Sequence, residues 1–253
     1  MKLFAETIGA GDPTLILLHG LGSNGAVFAP LLRRLAWPGR IIVPDLRGHG
    51  RSPHATHYSL AHHAADIVDL LEPDALVHVA GHSMGGAIAL VLASGFCGIT
   101  VNRVTAFGVK LNWSADDLAR SRALAEAPVR WFDTREAAAE RFVRIAGLSG
   151  QVEFSDPVVA AGIVEHNGRF RLAFDNATAR VVGPTVVDMI AATPVPLRLF
   201  CGSNDPMVSI EELREHDPQA FAIDGCGHNP HVEAPEMVAA IVQELHLARS
   251  RRD

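Results

Sequence analysis

Short apolar runs alternate with longer segments of helical periodicity along most of the chain. Apolar runs of this length are typical of strands that are buried on both faces of a parallel sheet. Four such strands are predicted, at residues 15–18, 40–45, 75–80 and 101–109. Helices are predicted between them, at 27–35, at 58–71 with Ser59 as N-cap, and at 84–96. This alternation of strands and helices predicts an α/β fold.

The alternation stops after Trp113. Helices are predicted at residues 115–127, 135–146, 156–165 and 175–182, with no convincing strand among them. Strands resume at 196–201 and 219–223, and a helix is expected from 235 to about 248. We therefore predict a doubly wound, mostly parallel core of residues 1–112 and 194–253 with a helical insertion at 113–193. A ligand crevice is expected at the carboxyl ends of the strands.

Composition narrows the classes of protein to consider. The 253 residues, 48% apolar and 20% charged, suit one large globular domain with an insertion. A net charge of −6 argues against nucleic acid as a partner, and no apolar run is long enough to cross a membrane. The N-terminus resembles no secretory signal, so a cytoplasmic location is the default expectation. Three unpatterned cysteines indicate reduced, buried thiols rather than disulfides.

The pentapeptide G-H-S-M-G at residues 81–85 carries the most specific chemistry of the chain. It follows a predicted strand and opens a predicted helix, the context required of a G-x-S-x-G nucleophile elbow. Glycines flank Ser83 where a Cβ would crowd the turn, and the serine itself is expected in a strained backbone region. The alternative, a glycine-rich turn with a surface serine, does not require this order of elements. We predict that Ser83 is a nucleophile.

A serine nucleophile needs a base and an acid that orients the base. His228 follows the last predicted strand on a glycine-flanked loop, and Asp205 lies on the loop after the neighbouring strand. His231 and Asp224 are the local rivals, for which we expect loop and turn hydrogen bonds instead, with Glu233 as one partner of His231. The predicted triad of Ser83, Asp205 and His228 has the chain order stated for nucleophile-elbow enzymes.

Two backbone N–H groups are expected to bind the oxyanion of the tetrahedral intermediate. One is that of Met84, which follows the nucleophile, and the other is that of Leu21, in the glycine-rich loop after the first predicted strand. Their side chains are then free to line the pocket.

Four histidines close together in the sequence form a candidate metal site. His54, His57, His62 and His63 lie close together in sequence but lack a carboxylate pattern, so a solvated helix surface explains them better. We expect neither a metal nor a cofactor.

Five short segments, in this order, resemble the α/β-hydrolase fold superfamily, in its serine hydrolase branch with a helical cap. They are residues 19–22, 45–52, 81–86, 202–205, and 227–228 with 233–235. The resemblance covers nearly the full chain apart from the insertion, and implies that the insertion is a cap over the active site. It also implies that 45–52 is a structural loop whose Arg and Asp pair with each other. Serine at position 83 speaks against the epoxide hydrolase and haloalkane dehalogenase branches, which use aspartate there.

The resemblance implies hydrolysis of a small or medium carboxylic ester through an acyl-enzyme. C–C bond hydrolase, lactonase and thioesterase activities stay open, although C–C hydrolases often have asparagine where His82 stands. An acyltransferase and a slow-turnover ligand sensor are the alternatives of another class. Phe28, Lys110 and Trp113 are candidate pocket residues from their positions near the oxyanion loop and the insertion. The natural substrate and the oligomeric state are left open by the sequence.

Overall fold

The computed structural model describes residues 1–181 and 186–247, with their side chains through residue 244. Nine strands are present in this part of the chain: β1 Ala5–Ile8, β2 Thr14–Leu18, β3 Ile41–Pro44, β4 Val77–His82, β5 Val101–Phe107, β6 Ile163–His166, β7 Arg169–Leu172, β8 Leu197–Gly202 and β9 Phe221–Ile223. Seven form one sheet in the order β1-β3-β2-β4-β5-β8-β9. Only β1 is antiparallel to its neighbour in this sheet.

Helices cover both faces of the sheet. Their bounds are α1 Ala29–Leu32, α2 Leu60–Val68, α3 Met84–Ala93, α4 Ala115–Glu126, α5 Arg135–Ile145, α6 Pro157–Ala161, α7 Val186–Ala191, α8 Ile210–His216, α9 Pro230–Glu233 and α10 Pro235–Leu247. Helices α2 and α3 pack together on one face, and α1 packs with α10 on the other. The doubly wound, mostly parallel sheet predicted from the sequence is confirmed.

The apolar run of β2 shows why the sheet needs two covering layers. Ile16 and Leu18 enter the core cluster beneath α3, whereas Leu15 and Leu17 enter the cluster beneath α1 and α10. All four are at most 1% exposed. Because side chains of a strand alternate between faces, an unbroken apolar run buries both faces of the sheet. The strand lies between β3 and β4 in the interior of the sheet, and its carboxyl end leads into the glycine-rich loop at residues 19–22.

The predicted core helices differ from the observed ones mainly at their ends. The predicted helix at 27–35 is a 3₁₀ turn, Gly25–Phe28, followed by the short α1. Helix α2 begins after Ser59, whose Oγ accepts a hydrogen bond from the His62 N–H at 3.1 Å, as its predicted N-cap role requires. Helix α10 begins at Pro235 as expected, and position 248 lies outside the described residues.

The segment between β5 and β8 corrects one expectation. The prediction that it contains no strand is wrong, because β6 and β7 form an antiparallel hairpin where the end of the 156–165 helix was expected. Asn167 and Gly168 join the strands with φ values of 51° and 72°, the left-handed conformations of an Asn-Gly hairpin turn. The 115–127 and 135–146 helices are present as α4 and α5, but 175–182 is a 3₁₀ helix over Asn176–Val181, and position 182 lies outside the described residues.

Candidate active site

Ser83 occupies the sharp turn between β4 and α3. Its φ of 52° and ψ of −117° are a left-handed, strained backbone conformation for a residue with a side chain. The turn is held by the Ser83 N–H, which donates to the Phe107 carbonyl at 2.8 Å. A Cβ on Gly81 would overlap the Gly85 carbonyl, so glycine at position 81 allows the backbone to double back. The turn lifts Ser83 out of the sheet and into a cavity.

His228 and Asp205 are hydrogen-bonded to each other. The Nδ1–H group of His228 donates to Asp205 Oδ2 at 2.8 Å, and the Asp205 side chain is fully buried. The other carboxylate oxygen accepts from the Met207 N–H at 2.8 Å, which fixes the carboxylate plane. With Nδ1 occupied, Nε2 is the nitrogen left for Ser83. Ser83 and His228 line the same cavity, although no direct hydrogen bond joins their side chains in the described structure.

The rival base, His231, does not line the cavity of Ser83. His231 is fully buried beside Phe28 and Phe107, and neither ring nitrogen has a hydrogen-bond partner among the described residues. Burial lowers the pKa of His231 to about 3, so the ring is neutral. The expected pairing of His231 with Glu233 is wrong.

Glu233 and Asp224 instead serve the backbone around the base loop. Glu233 accepts hydrogen bonds from the N–H groups of Gly227 at 2.7 Å and Asn229 at 3.0 Å. Asp224 is exposed and accepts a long hydrogen bond from Ser203 at 3.4 Å, in keeping with a turn role. The two loops that carry Asp205 and His228 are thereby fixed at neighbouring strand ends.

The predicted oxyanion donors lie next to Ser83. The N–H groups of Leu21 and Met84 have no internal acceptor in the described structure, and both residues line the cavity. Two buried histidines hold the loop of Leu21, and neither had a predicted role. His19 Nδ1–H donates to the Gly20 carbonyl at 2.8 Å, and His49 Nε2 accepts from the Gly22 N–H at 3.1 Å. Their positions directly at and after predicted strand ends were the available sequence signal.

His82, the residue before the nucleophile, contacts the base loop. Its Nε2 lies 2.8 Å from the His228 carbonyl oxygen, and because a carbonyl only accepts, this nitrogen carries the proton. The ring packs edge-on against His228, with centroids 4.7 Å apart, and lies against Gly20 of the oxyanion loop. Burial, with smaller effects from His231 and His228, lowers its pKa well below the usual value. His82 is therefore a neutral hydrogen-bond donor.

The cavity has a volume of about 270 Å³ and a mainly apolar lining. Lys110 and Trp113, both predicted pocket residues, line it. The Lys110 ammonium pairs with Asp117 at 2.7 Å, and Trp113 Nε1 donates to the Lys110 carbonyl at 3.2 Å. Phe28, the third candidate, does not belong to the lining, because its side chain is fully buried in the core beneath the sheet edge.

The inserted segment supplies one side of the cavity. Its contributions to the lining include Trp113, residues 144–147, Val181 and Val186. The core supplies the opposite side through Gly20, Leu21, Ser23, the nucleophile elbow and His228.

The histidines at positions 54, 57, 62 and 63 lie in different environments. No group of histidine, cysteine or acidic side chains with metal-binding geometry occurs within residues 1–181 and 186–244. His57 and His62 stack at the surface, and the His54 Nε2–H group donates to the Ala173 carbonyl at 2.8 Å. The expectation of a solvated surface is wrong for His63, which is fully buried and whose pKa burial lowers to about 3. It faces the core because the apolar stripe of α2 extends over its position.

The loop at 45–52 has a structural role. The buried Asp45 carboxylate accepts from Arg51 Nε at 2.8 Å and from the Gly25 N–H at 2.7 Å. Arg47 forms two hydrogen bonds with Asp66, at 2.6 and 2.7 Å. These hydrogen bonds connect the loop to the core away from the cavity. The resemblance implied such a structural loop with paired Arg and Asp side chains.

Comparisons with known proteins agree with this architecture. The chain matches the sequence model of the alpha/beta hydrolase family over residues 15–241. It is 28% identical over 261 aligned positions to the pimeloyl-(acyl-carrier protein) methyl ester esterase of Edwardsiella ictaluri, with 98% of each chain covered. It is 27% identical over 266 positions to Lipase LipV of Mycobacterium tuberculosis, with 96% of this chain and 97% of the lipase covered.

A solved structure gives the same result at the level of the fold. The structure of E-2-(acetamidomethylene)succinate hydrolase superposes with a TM-score of 0.81 at 22% identity, covering 96% of this chain and 94% of that one. None of the helices within the described ranges has the length and apolar character needed to cross a bilayer. From its sheet order and from a family match that spans most of its length, the chain belongs to the alpha/beta hydrolase family.

Proposed function

We propose that the protein is a serine hydrolase that cleaves small to medium carboxylic esters through an acyl-enzyme. The observation that carries the proposal is the hydrogen bond from His228, which lines the same cavity as Ser83 on its strained elbow, to the buried Asp205 side chain. Similarity to a methyl ester esterase and to a lipase supports an ester as substrate. We also propose that residues 113–193 act as a cap that selects the substrate.

In the first half of the reaction, Ser83 Oγ forms a bond to the ester carbonyl carbon while its proton passes to His228 Nε2. The carbonyl π electrons move to the oxygen, and the N–H groups of Leu21 and Met84 bind this oxyanion. When the carbonyl reforms, the bond to the alcohol oxygen breaks, and the alcohol leaves with the proton from His228. Asp205 stabilises the intermediate imidazolium and holds its tautomer.

In the second half, water repeats the sequence on the acyl-enzyme. His228 takes a proton from water, the hydroxide oxygen bonds to the acyl carbon, and Ser83 Oγ leaves as its proton is restored. The product is a carboxylic acid. Because the Leu21 donor lies in a loop held by His19 and His49 and the Met84 donor lies at the start of α3, little reorganisation is needed when charge develops. Each such donor contributes on the order of 10²–10³ in turnover.

The size of the cavity limits the substrate. Its volume of about 270 Å³ lies just below the range of about 300–1,000 Å³ that is common for ligand sites. Apolar residues such as Leu60, Val109 and Val186 suit an alkyl or alkenyl group. We therefore expect turnover of short acyl or alkyl esters in preference to bulky lipids.

The test is a panel of esters, lactones and thioesters of graded chain length, assayed with wild type, Ser83→Ala and the control Ser155→Ala. Ser155 is exposed and remote from the cavity lining, so its variant should match wild type. Ser83→Ala should lose several orders of magnitude in kcat for every substrate, since removing such a nucleophile usually costs about 10⁶-fold. Retention of turnover within a few-fold would refute the mechanism, and a preference for thioesters, lactones or alcohol acceptors would reassign the reaction.

A further inference from the structure

Charged side chains are distributed unevenly between the surface and the cavities. The chain has a net charge of −6, yet the cavity of Ser83 has Lys110 and Arg144 in its lining and no carboxylate among its described lining residues. A second cavity of about 330 Å³ lies within the inserted segment and is lined by Arg130 and Arg141, again without a described carboxylate. Both cavities are therefore positive in an otherwise acidic protein.

The cations of the two cavities are not equally available to a ligand. Lys110 is paired with Asp117 at 2.7 Å, and Arg120 binds the second oxygen of that carboxylate at 2.6 Å. By contrast, no carboxylate lies within ion-pair distance of Arg141 or Arg144 in the described structure. An unpaired guanidinium presents a planar set of donors that matches a carboxylate. Arg130, Arg141 and Arg144 are thus the cations of the two cavities with unused binding capacity.

Helix α5 joins the two cavities. Arg144 lines the first and Arg141 the second, while Ile145 lines both. Ile145 also lies against the oxyanion loop, since a Cβ on Gly22 would overlap its Cγ2 atom. Arg141 and Ile145 are one helical turn apart, a rise of about 6 Å along the axis. Arg144 and Ile145 therefore lie on the wall of the cavity that contains Ser83, and Arg141 lies in the neighbouring cavity on the same helix.

The second cavity suits the apolar part of such a chain. Its lining includes the apolar residues Leu124, Val129, Phe132, Leu172 and Phe174. Arg130 stacks on Phe132, with its guanidinium carbon 4.9 Å from the ring centroid, which leaves the edge of the guanidinium free for hydrogen bonds. Apolar walls with arginine at one side are complementary to an alkyl chain that ends in an anion.

We propose that α5 forms an anion subsite, and that the substrate is an ester whose chain ends in a carboxylate bound by Arg144 or, for longer chains, by Arg141 beyond Ile145. This inference rests on the proposed ester hydrolysis at Ser83. It assigns Arg141 and Arg144 as specificity-determining residues that act on binding, with Ile145 as the boundary between short and long chains.

The test compares monomethyl succinate, monomethyl adipate and monomethyl suberate with neutral methyl esters of matched length. The proteins assayed are wild type, Arg144→Gln, Arg141→Gln and the control Arg122→Gln. Arg122 is exposed on α4 and lines neither cavity. We expect wild type to prefer the anionic ester in kcat/KM. Arg144→Gln should lower this preference about tenfold for short chains, and Arg141→Gln for suberate, mainly through KM, because each variant loses a charge-assisted hydrogen bond to the substrate carboxylate.

Neutral esters and the control variant keep this test separate from the test of the nucleophile. Arg122→Gln should match wild type on both classes of ester, whereas each α5 variant should lose more kcat/KM on the monoacid than on the neutral ester of matched length, and added salt should reduce only the preference for the anion. If wild type cleaves neutral esters but shows no preference for the monoacids, or if Arg122→Gln has the same effect as the α5 variants, the anion subsite is refuted. If neither class is cleaved and Ser83→Ala matches wild type, the proposed hydrolysis itself fails.

Discussion

The hydrogen bond from His82 to the base loop leads to the most specific prediction. His82→Phe keeps a ring of similar size and removes the Nε2–H group that lies 2.8 Å from the His228 carbonyl oxygen. A buried carbonyl that loses its donor costs about 1–3 kcal/mol. The loop can recover this free energy only by moving the carbonyl toward another donor, which moves the His228 ring away from Ser83. Because a misplacement of about 1 Å can cost on the order of 10²-fold in rate, we expect kcat to fall 10- to 100-fold.

Two further variants separate this positioning role from general packing. His82→Gln places an amide donor near the position of Nε2 and should restore most of the activity. His231→Phe is the matched control, since His231 is an equally buried neighbour whose ring nitrogens have no described partner. That variant should stay within a few-fold of wild type.

The assay is kcat on an activated ester, normalised to active sites titrated with a fluorophosphonate, together with the midpoint of thermal unfolding. A purely structural role would lower the unfolding midpoint but leave kcat per titrated site unchanged. If His82→Phe retains kcat within twofold, or if His82→Gln is no better than His82→Phe, then His82 does not position the base.

Two other predictions follow from the buried polar groups. Asp205→Asn should lower kcat by about 10⁴-fold without loss of fold, because an amide donor at this position favours the wrong tautomer of His228; an unchanged kcat would remove Asp205 from the mechanism. Stability should fall as the pH drops below about 6.5, because His63 and His231 have pKa values of about 3 when folded and ordinary values when unfolded, so the unfolded chain binds more protons. The free energies of unfolding from urea titrations at about pH 7.5 and 5.5 should differ by about 1.4 kcal/mol for each of the two histidines. A His63→Leu variant that keeps the full dependence of stability on pH would contradict this prediction.

The sequence was most informative where chemistry and backbone geometry constrain the same residues. A strand, a glycine-flanked serine and a helix together admit few conformations, so the turn at Ser83 was predictable. His228 and Asp205 were predictable as a pair because both follow strands of a parallel sheet, and the carboxyl ends of such strands meet at one edge.

Residues whose roles depend on long-range packing were harder to assign. His63 and Phe28 sit at positions that local periodicity leaves ambiguous, and only the packing of α2 and of the sheet edge decides that both are buried. His19 and His49 act on a loop through contacts with backbone groups, which no spacing along the chain reveals. The hairpin at Asn167 and Gly168 had a local turn signal, but the neighbouring apolar residues suit a short helix equally well.

The central claim is that Ser83 is the activated nucleophile. Intact-mass and peptide analysis after treatment with diisopropyl fluorophosphate, with ester hydrolysis followed in parallel, tests it most directly. We expect one adduct per wild-type chain, located on Ser83, with activity lost in proportion to labelling. The Ser83→Ala variant should carry no adduct. Full labelling of Ser83 with undiminished hydrolysis, or loss of activity through an adduct on another residue, would contradict it.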